Sequence, residues 1–326
     1  MTISTDAKAT LAGSQDYEAI SRRMRRQDRL FLGLTWGAAT LVVAVLMGVM
    51  ISLAYDALPA FQKFGLPFIW NERWSPAKDI FGAAAPIFGT LVTSAVAMVI
   101  GVPISFGIAI FLTEICPKRL RRPIGVAIEL LAGIPSIIYG LWGFFVLAPI
   151  MQSVVQPFLI NTLGDLPIIG ALFSGAPYGI GLLTAGLVLA VMILPFITSV
   201  TRDVFNTVPV MLRESAYGMG MTTWEVVRYI IIPYTRLGLV GGIMLGLGRA
   251  LGETMAVTFV IGNAHKVTAS LLSPATTISA SIANEFAEAT TGIYTASLIA
   301  LGLILFLITF TVLALAKWLI GRTETF

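Results

Sequence analysis

The stretch GLVGGIMLGLGRALGETMAVTFVIG, Gly238–Gly262, decides how this chain is read. It is long enough to cross a bilayer, which takes about 20 apolar residues. Its only charges are Arg249 and Glu253. On insertion scales each costs roughly 2.5–3.5 kcal/mol at the bilayer centre. Such charges persist where they face a protein interior or a water-filled path. A spacing of four on a continuous helix puts both on one face. The pair therefore reads as an anion-attracting point on a route through the membrane, or as a structural ion pair between helices. Gly238, Gly242 and Gly246 recur every four residues just ahead of it, a stripe that lets helix backbones approach closely.

Working outward, the whole chain has the composition of a membrane protein. Mean hydropathy is +0.89. Hydrophobic residues make up 57% and charged residues 12%, against about 25% charged in soluble domains. Candidate spans are Leu30–Tyr55, Ala84–Leu112, Ile124–Ile150, Tyr178–Val200, Leu237–Gly262 and Thr295–Ile320. The fold class is all-α, a polytopic protein of six transmembrane helices. Pro86 and Pro103 in the second span and Pro135 in the third should kink their helices, with neighbours satisfying the freed carbonyls.

Charge sets the direction of insertion. The polar tail 1–29, with its basic run SRRMRRQDR, the loop Glu114–Pro123, the loop Thr201–Arg236 and the C-terminus 321–326 hold most Lys and Arg. The alternate loops hold only Lys63, Arg73, Lys78 and Lys266, and Met151–Pro177 holds none. Both termini are expected in the cytoplasm, with the tail uncleaved and mobile at its start. The net charge of +4 follows from this topology, and no nucleic-acid partner is expected. Membrane lipid is the surrounding partner, and the basic run can also attract anionic lipid.

Other features narrow the chemistry. Cys116 alone cannot form an internal disulfide, and His265 alone, at the membrane interface, makes no metal site. No catalytic residue and no metal ligand is expected. No phosphate-binding G-x-x-x-x-G-K-[ST] loop occurs, so any ATP is bound by another chain. Glu129, in the first turns of the third span, is expected to pair with Arg121 or Arg122, with a gating role as the alternative. The outer loop Asn263–Tyr294, with Glu285 and Glu288, has room for a short helix that meets a partner or caps the path.

The loop between spans four and five is unlike an ordinary connector. Pro209 suits a first helical turn, a helix can run to Tyr217, and Gly218 and Gly220 break it. Thr222 and Glu225 have capping-box spacing, opening a second helix that Pro233 should end near Ile232. The result is a compact cytoplasmic knob, or an amphipathic hairpin lying on lipid.

Glu214, Ser215 and Ala216, then Gly220, then Ile230 and Pro233 resemble the EAA loop of ABC importer permeases, with Ser215 in place of an alanine and Ile232 in place of a leucine. The runs Glu129–Gly143, Arg213–Asn263 and Ala283–Ala289 are similar to the phosphate-specific permease family of the PstC type, from about Gly82 to Leu319. The resemblance implies a type I ABC importer fold, with a permease core over 82–320 following a first helix and outer loop over 30–81. It implies coupling through Glu214, Ser215, Ala216, Gly220, Ile230 and Pro233 to an ATPase. The implied partners are a sister permease, two cytoplasmic ATP-binding subunits that hold ATP and magnesium, and an extracytoplasmic phosphate-binding protein. The implied location is the bacterial inner membrane and the implied cargo inorganic phosphate, with Arg249 and Glu253 on its path. Glu253 would hold Arg249 when that path is empty. Permeation of another oxyanion such as sulfate or molybdate, a scaffold or sensor of phosphate status, and an ATP-independent carrier are the alternatives.

Overall fold

The structure, a computed structural model, describes residues 3–167 and 169–321, with side chains for Met24 and for 27–318 apart from position 168. Most side chains of the basic run 21–29 and all of 322–326 lie outside that description. Six helices among the described residues are long and apolar enough to cross a membrane. In chain order the helices used below are α1 (Ile3–Phe64), α2 (Ala84–Ile115), α3 (Lys118–Ala132), α4 (Ser136–Leu163), α5 (Leu182–Asn206), α6 (Val210–Gly218), α7 (Thr223–Gly252), α8 (Met255–Ile261), α9 (Ile278–Glu285) and α10 (Gly292–Gly321).

The chain divides into two compact units, 1–55 and 56–326, the division falling inside α1. In the first unit, side chains from Leu30 to Tyr55 are almost all exposed, as lipid-facing apolar residues are.

The second unit is built around α5. Leu182, Ala185, Val188, Leu189, Ile193 and Ile197 are fully buried. The most extensive packing in the molecule is between α5 and α2, followed by α5 and α7. The glycine stripe on α7 explains the second contact. A Cβ at Gly238 would fall 2.6 Å from the Val204 side chain, one at Gly242 3.1 Å from Val200, and one at Gly246 2.6 Å from Ile197. The three glycines thus run down the face of α5, as their spacing predicts.

A still closer approach occurs where α2 meets the segment before α9. A Cβ on Gly89 would lie 1.9 Å from the Thr276 carbonyl oxygen. Backbone on both sides cannot yield, and Thr90 Oγ1 also accepts from the Ile278 N–H at 3.0 Å. Gly89→Ala should cost about 1–3 kcal/mol by overpacking, read as a lowered melting temperature of the detergent-purified protein.

Two spans differ most from their sequence reading, while the first also runs on to Phe64 and the fourth to Asn206. The third begins at Ser136, not Ile124, and runs to Leu163 through residues expected in an outer loop. Pro135 ends helical pairing at Gly133–Pro135, so α3 is a separate amphipathic helix. The Tyr139 hydroxyl bridges the break by donating to the Leu131 carbonyl at 2.8 Å. The fifth begins at Thr223, because Pro233 does not end the helix there.

A common device explains why prolines sit inside α4 and α7. A proline lacks an N–H, and its ring crowds the carbonyl four residues back. Pro149, Pro157 and Pro233 each follow a wide π turn, at Gly143–Leu147, Met151–Val155 and Val227–Ile231. In each case the residue before the proline donates to a carbonyl five residues back: Ala148 to Gly143, Gln156 to Met151, Ile232 to Val227. The wider turn makes room for the ring and keeps the helix running.

Candidate functional site

Arg249 lies in the last turn of α7, which ends at Gly252. Glu253 then takes an extended backbone, φ −70° and ψ 131°. The sequence reading of one continuous helix to Gly262, with both charges on one face, is therefore corrected. Gly252 is a poor helix former, and the groups freed by the break find other partners. The Glu253 carboxylate accepts from the Ala256 N–H at 3.4 Å, and its carbonyl accepts from Ser279 Oγ at 2.7 Å. Glu253 thus caps α8 and joins it to α9. Among the described residues no ion pair joins it to Arg249.

The Arg249 guanidinium instead rests on Phe196 of α5, 4.2 Å from the ring centroid. Its Nε is buried without a hydrogen-bond partner. It faces an open, mainly apolar groove of about 660 Å³ between α5, α7 and α10, walled by Met244, Leu245, Gly248 and Leu313, with Lys317 as the other charge. A guanidinium held by its face leaves its edge donors free. That planar fork matches the oxygens of an oxyanion, and low-dielectric walls strengthen the attraction.

The knob takes the expected form at its turn. On α6, Glu214 and Ser215 are exposed while Ala216 is buried against Val226, Val227 and Ile231. Gly220 turns the chain with φ +86°, a conformation that favours glycine. Thr222 and Glu225 form the reciprocal capping box that opens α7. Ile230 is half-buried and Pro233 exposed. Both belong to the long helix rather than to a short one, so the second arm of the knob and Arg249 share a single rod. Met211, Met219 and Trp224 stand exposed at 78%, 75% and 62%, an apolar cap that suits a protein partner.

Sequence reasoning missed what anchors this knob. Arg213 on α6 pairs with Glu114 on the final turn of α2 at 2.7 Å, with side-chain exposures of only 16% and 5%. Arg213 also donates to the Phe205 carbonyl, and Tyr217 to Glu114 at 3.4 Å. The pair is 99 residues apart in sequence, and no local pattern signals it. Glu129 likewise finds Arg202 of α5 at 2.6 Å rather than Arg121 or Arg122. Arg121 donates instead to the Thr113 carbonyl at 2.6 Å.

At the opposite ends of the spans, Glu285 of α9 gathers the connecting segments. It accepts from Trp74 Nε1 and from the Tyr294 hydroxyl, each at 2.6 Å. His265 stacks near Trp74 and sits 3.3 Å from Glu285. Burial pushes its imidazole down to about 4, so the ring is uncharged at neutral pH and packs as part of this cluster.

Known proteins are similar to this chain in sequence or in fold. Residues 101–325 match the family described as binding-protein-dependent transport system inner membrane component. The phosphate transport system permease protein PstC of Mesorhizobium japonicum is 60% identical over 94% of each chain. That of Pasteurella multocida is 58% identical over 91% of this chain and 92% of the relative. Among solved structures, a bacterial ABC transporter involved in import of the acidic polysaccharide alginate aligns with TM-score 0.55 and 17% identity, covering 88% of this chain and 96% of that one. The MetNI methionine ABC transporter aligns with TM-score 0.51 and 19% identity, covering 71% and 93%. These two establish a shared fold. This chain belongs to the family of binding-protein-dependent transport system inner membrane components and, within it, to the permeases of the PstC type.

Proposed function

We infer that this chain is the membrane-spanning permease subunit of an ATP-driven importer of inorganic phosphate. The observation that carries the reading is Arg249: an arginine with free donor edges, in an apolar groove inside a transmembrane helix bundle. Phosphate is anionic at neutral pH and cannot cross hydrocarbon bare. One guanidinium attracts it without trapping it, and transport needs release. Glu253, off the helix, acts as a nearby negative charge that weakens retention rather than as a partner that holds Arg249.

The groove is open along one side, as a half-site is, and a sister permease completes the path. An extracytoplasmic phosphate-binding protein delivers the cargo. Two cytoplasmic ATP-binding subunits carry ATP and magnesium and dock on the knob through Glu214, Ser215, Ala216, Gly220, Ile230 and Pro233. No covalent chemistry takes place on this chain. Both termini face the cytoplasm, following the distribution of Lys and Arg.

The test is reconstitution of the chain with those partners in proteoliposomes. Labelled phosphate should accumulate only with ATP and binding protein, without competition from sulfate or molybdate. Uptake persisting with a hydrolysis-dead ATPase, or equal uptake of sulfate, would overturn the reading.

A further inference from the structure

On the face of the bundle that carries the knob, α3 and the end of α5 enclose an open pocket of about 370 Å³. Its charged lining is Lys118, Arg121, Arg122 and Arg202, with Glu129 and Asp203. The two carboxylates are both taken by Arg202, at 2.6 Å and 2.9 Å. Arg202 lies against Gly125 of α3, where a Cβ would fall 2.7 Å from the guanidinium. Three cations are left without an anionic partner among the described residues. Arg121 has a carbonyl for one amino group, and its buried Nε has no partner.

The spacing makes this imbalance specific. Lys118, Arg121 and Arg122 stand at i, i+3 and i+4 of α3, so three like charges share one helical face and repel. Lys118 also opens the helix, where the unpaired N–H groups add positive potential. Among the described residues the lining still carries a surplus of positive charge, four cations against the two carboxylates Glu129 and Asp203. On the rest of α3, Leu120, Leu130 and Leu131 are exposed at 52%, 70% and 46%, and the helix leads directly into α4 at the membrane boundary.

We propose that this pocket is a binding site for a phosphate group, distinct from the Arg249 groove, with Lys118, Arg121 and Arg122 as its ligands. The exposed leucines of α3 provide acyl-chain contact when the group belongs to an anionic phospholipid. Free inorganic phosphate carries the same chemistry, and the experiment separates the two sources. An occupant would offset part of this surplus charge and pin α3 against α5 beside the knob.

The test uses the full-length chain in detergent and native mass spectrometry, titrated separately with phosphatidylglycerol, phosphatidylcholine and inorganic phosphate. Phosphatidylglycerol should be retained in preference to phosphatidylcholine. The Arg121→Gln/Arg122→Gln variant should weaken it by roughly thirtyfold, from about 1 kcal/mol per cation. Arg119→Gln, an equal kind of charge loss outside the pocket lining, is the control and should change retention little. Retention of inorganic phosphate instead, with the same dependence on Arg121 and Arg122, would support the site and name free phosphate as its source. No preference for either anion, or equal loss in Arg119→Gln and the double variant, would overturn the proposal. Unchanged melting temperatures of the variants in phosphatidylcholine exclude misfolding as the cause.

Discussion

Phosphate uptake by the Arg249→Gln variant should fall by at least ~100-fold while the assembled complex is recovered in normal yield. Each charge-assisted hydrogen bond to an oxyanion contributes about 1.5–3 kcal/mol. Loss of a bidentate pair therefore removes about 3 kcal/mol or more, and ~1.4 kcal/mol is a factor of ten. The fold has little to lose. Arg249 makes a face contact with Phe196, worth about 0.5–2 kcal/mol. The substitution also removes a charge whose burial costs roughly 2.5–3.5 kcal/mol. Arg249→Lys should retain partial uptake, because it keeps the charge and loses the fork. Normal uptake in the glutamine variant, measured with labelled phosphate in proteoliposomes, would remove Arg249 from the path.

Arg213→Ala should be the most damaging single change in the knob. It leaves Glu114, 5% exposed, as an uncompensated charge, a situation that costs about 3–5 kcal/mol. It also frees α6 from the end of α2, so ATP turnover by the partner should lose its stimulation by the loaded binding protein. Adding Glu114→Gln should recover much of the stability, because the orphan charge is gone, but not the coupling, because the tether is still missing. Melting temperatures of the three proteins, with ATPase rates of the reconstituted complexes, check both halves. Equal melting temperatures for the parent and Arg213→Ala would refute the assignment.

The features legible in the sequence are those whose physics is local. Length and hydropathy find the spans, the four-residue glycine period finds the α5–α7 interface, and Thr222–Glu225 finds the start of α7. Three kinds of feature escape. Pro233 reads as a helix breaker because the wide turn that accommodates it is invisible in composition. Glu253 reads as a helical neighbour of Arg249 because its preference for capping α8 emerges only once Gly252 has ended the helix. Long-range ion pairs escape altogether: Glu129 has nearer basic residues in Arg121 and Arg122 yet pairs with Arg202, brought to it by the packing of α3 on α5.

The wide turn ahead of Pro233 bears on how motion could reach Arg249. A helix turns about 100° per residue, and a π turn spends one residue more than an ordinary turn. Everything beyond Ile232 on α7 is therefore out of phase with the knob by about a quarter turn relative to an uninterrupted α-helix. Pro233 acts as an indexing tooth. It holds that extra residue at one place and sets the compass bearing at which Arg249 emerges, toward Phe196 and the groove. If the knob couples to an ATPase as proposed, a push on it would arrive at Arg249 with a defined heading as well as a defined distance.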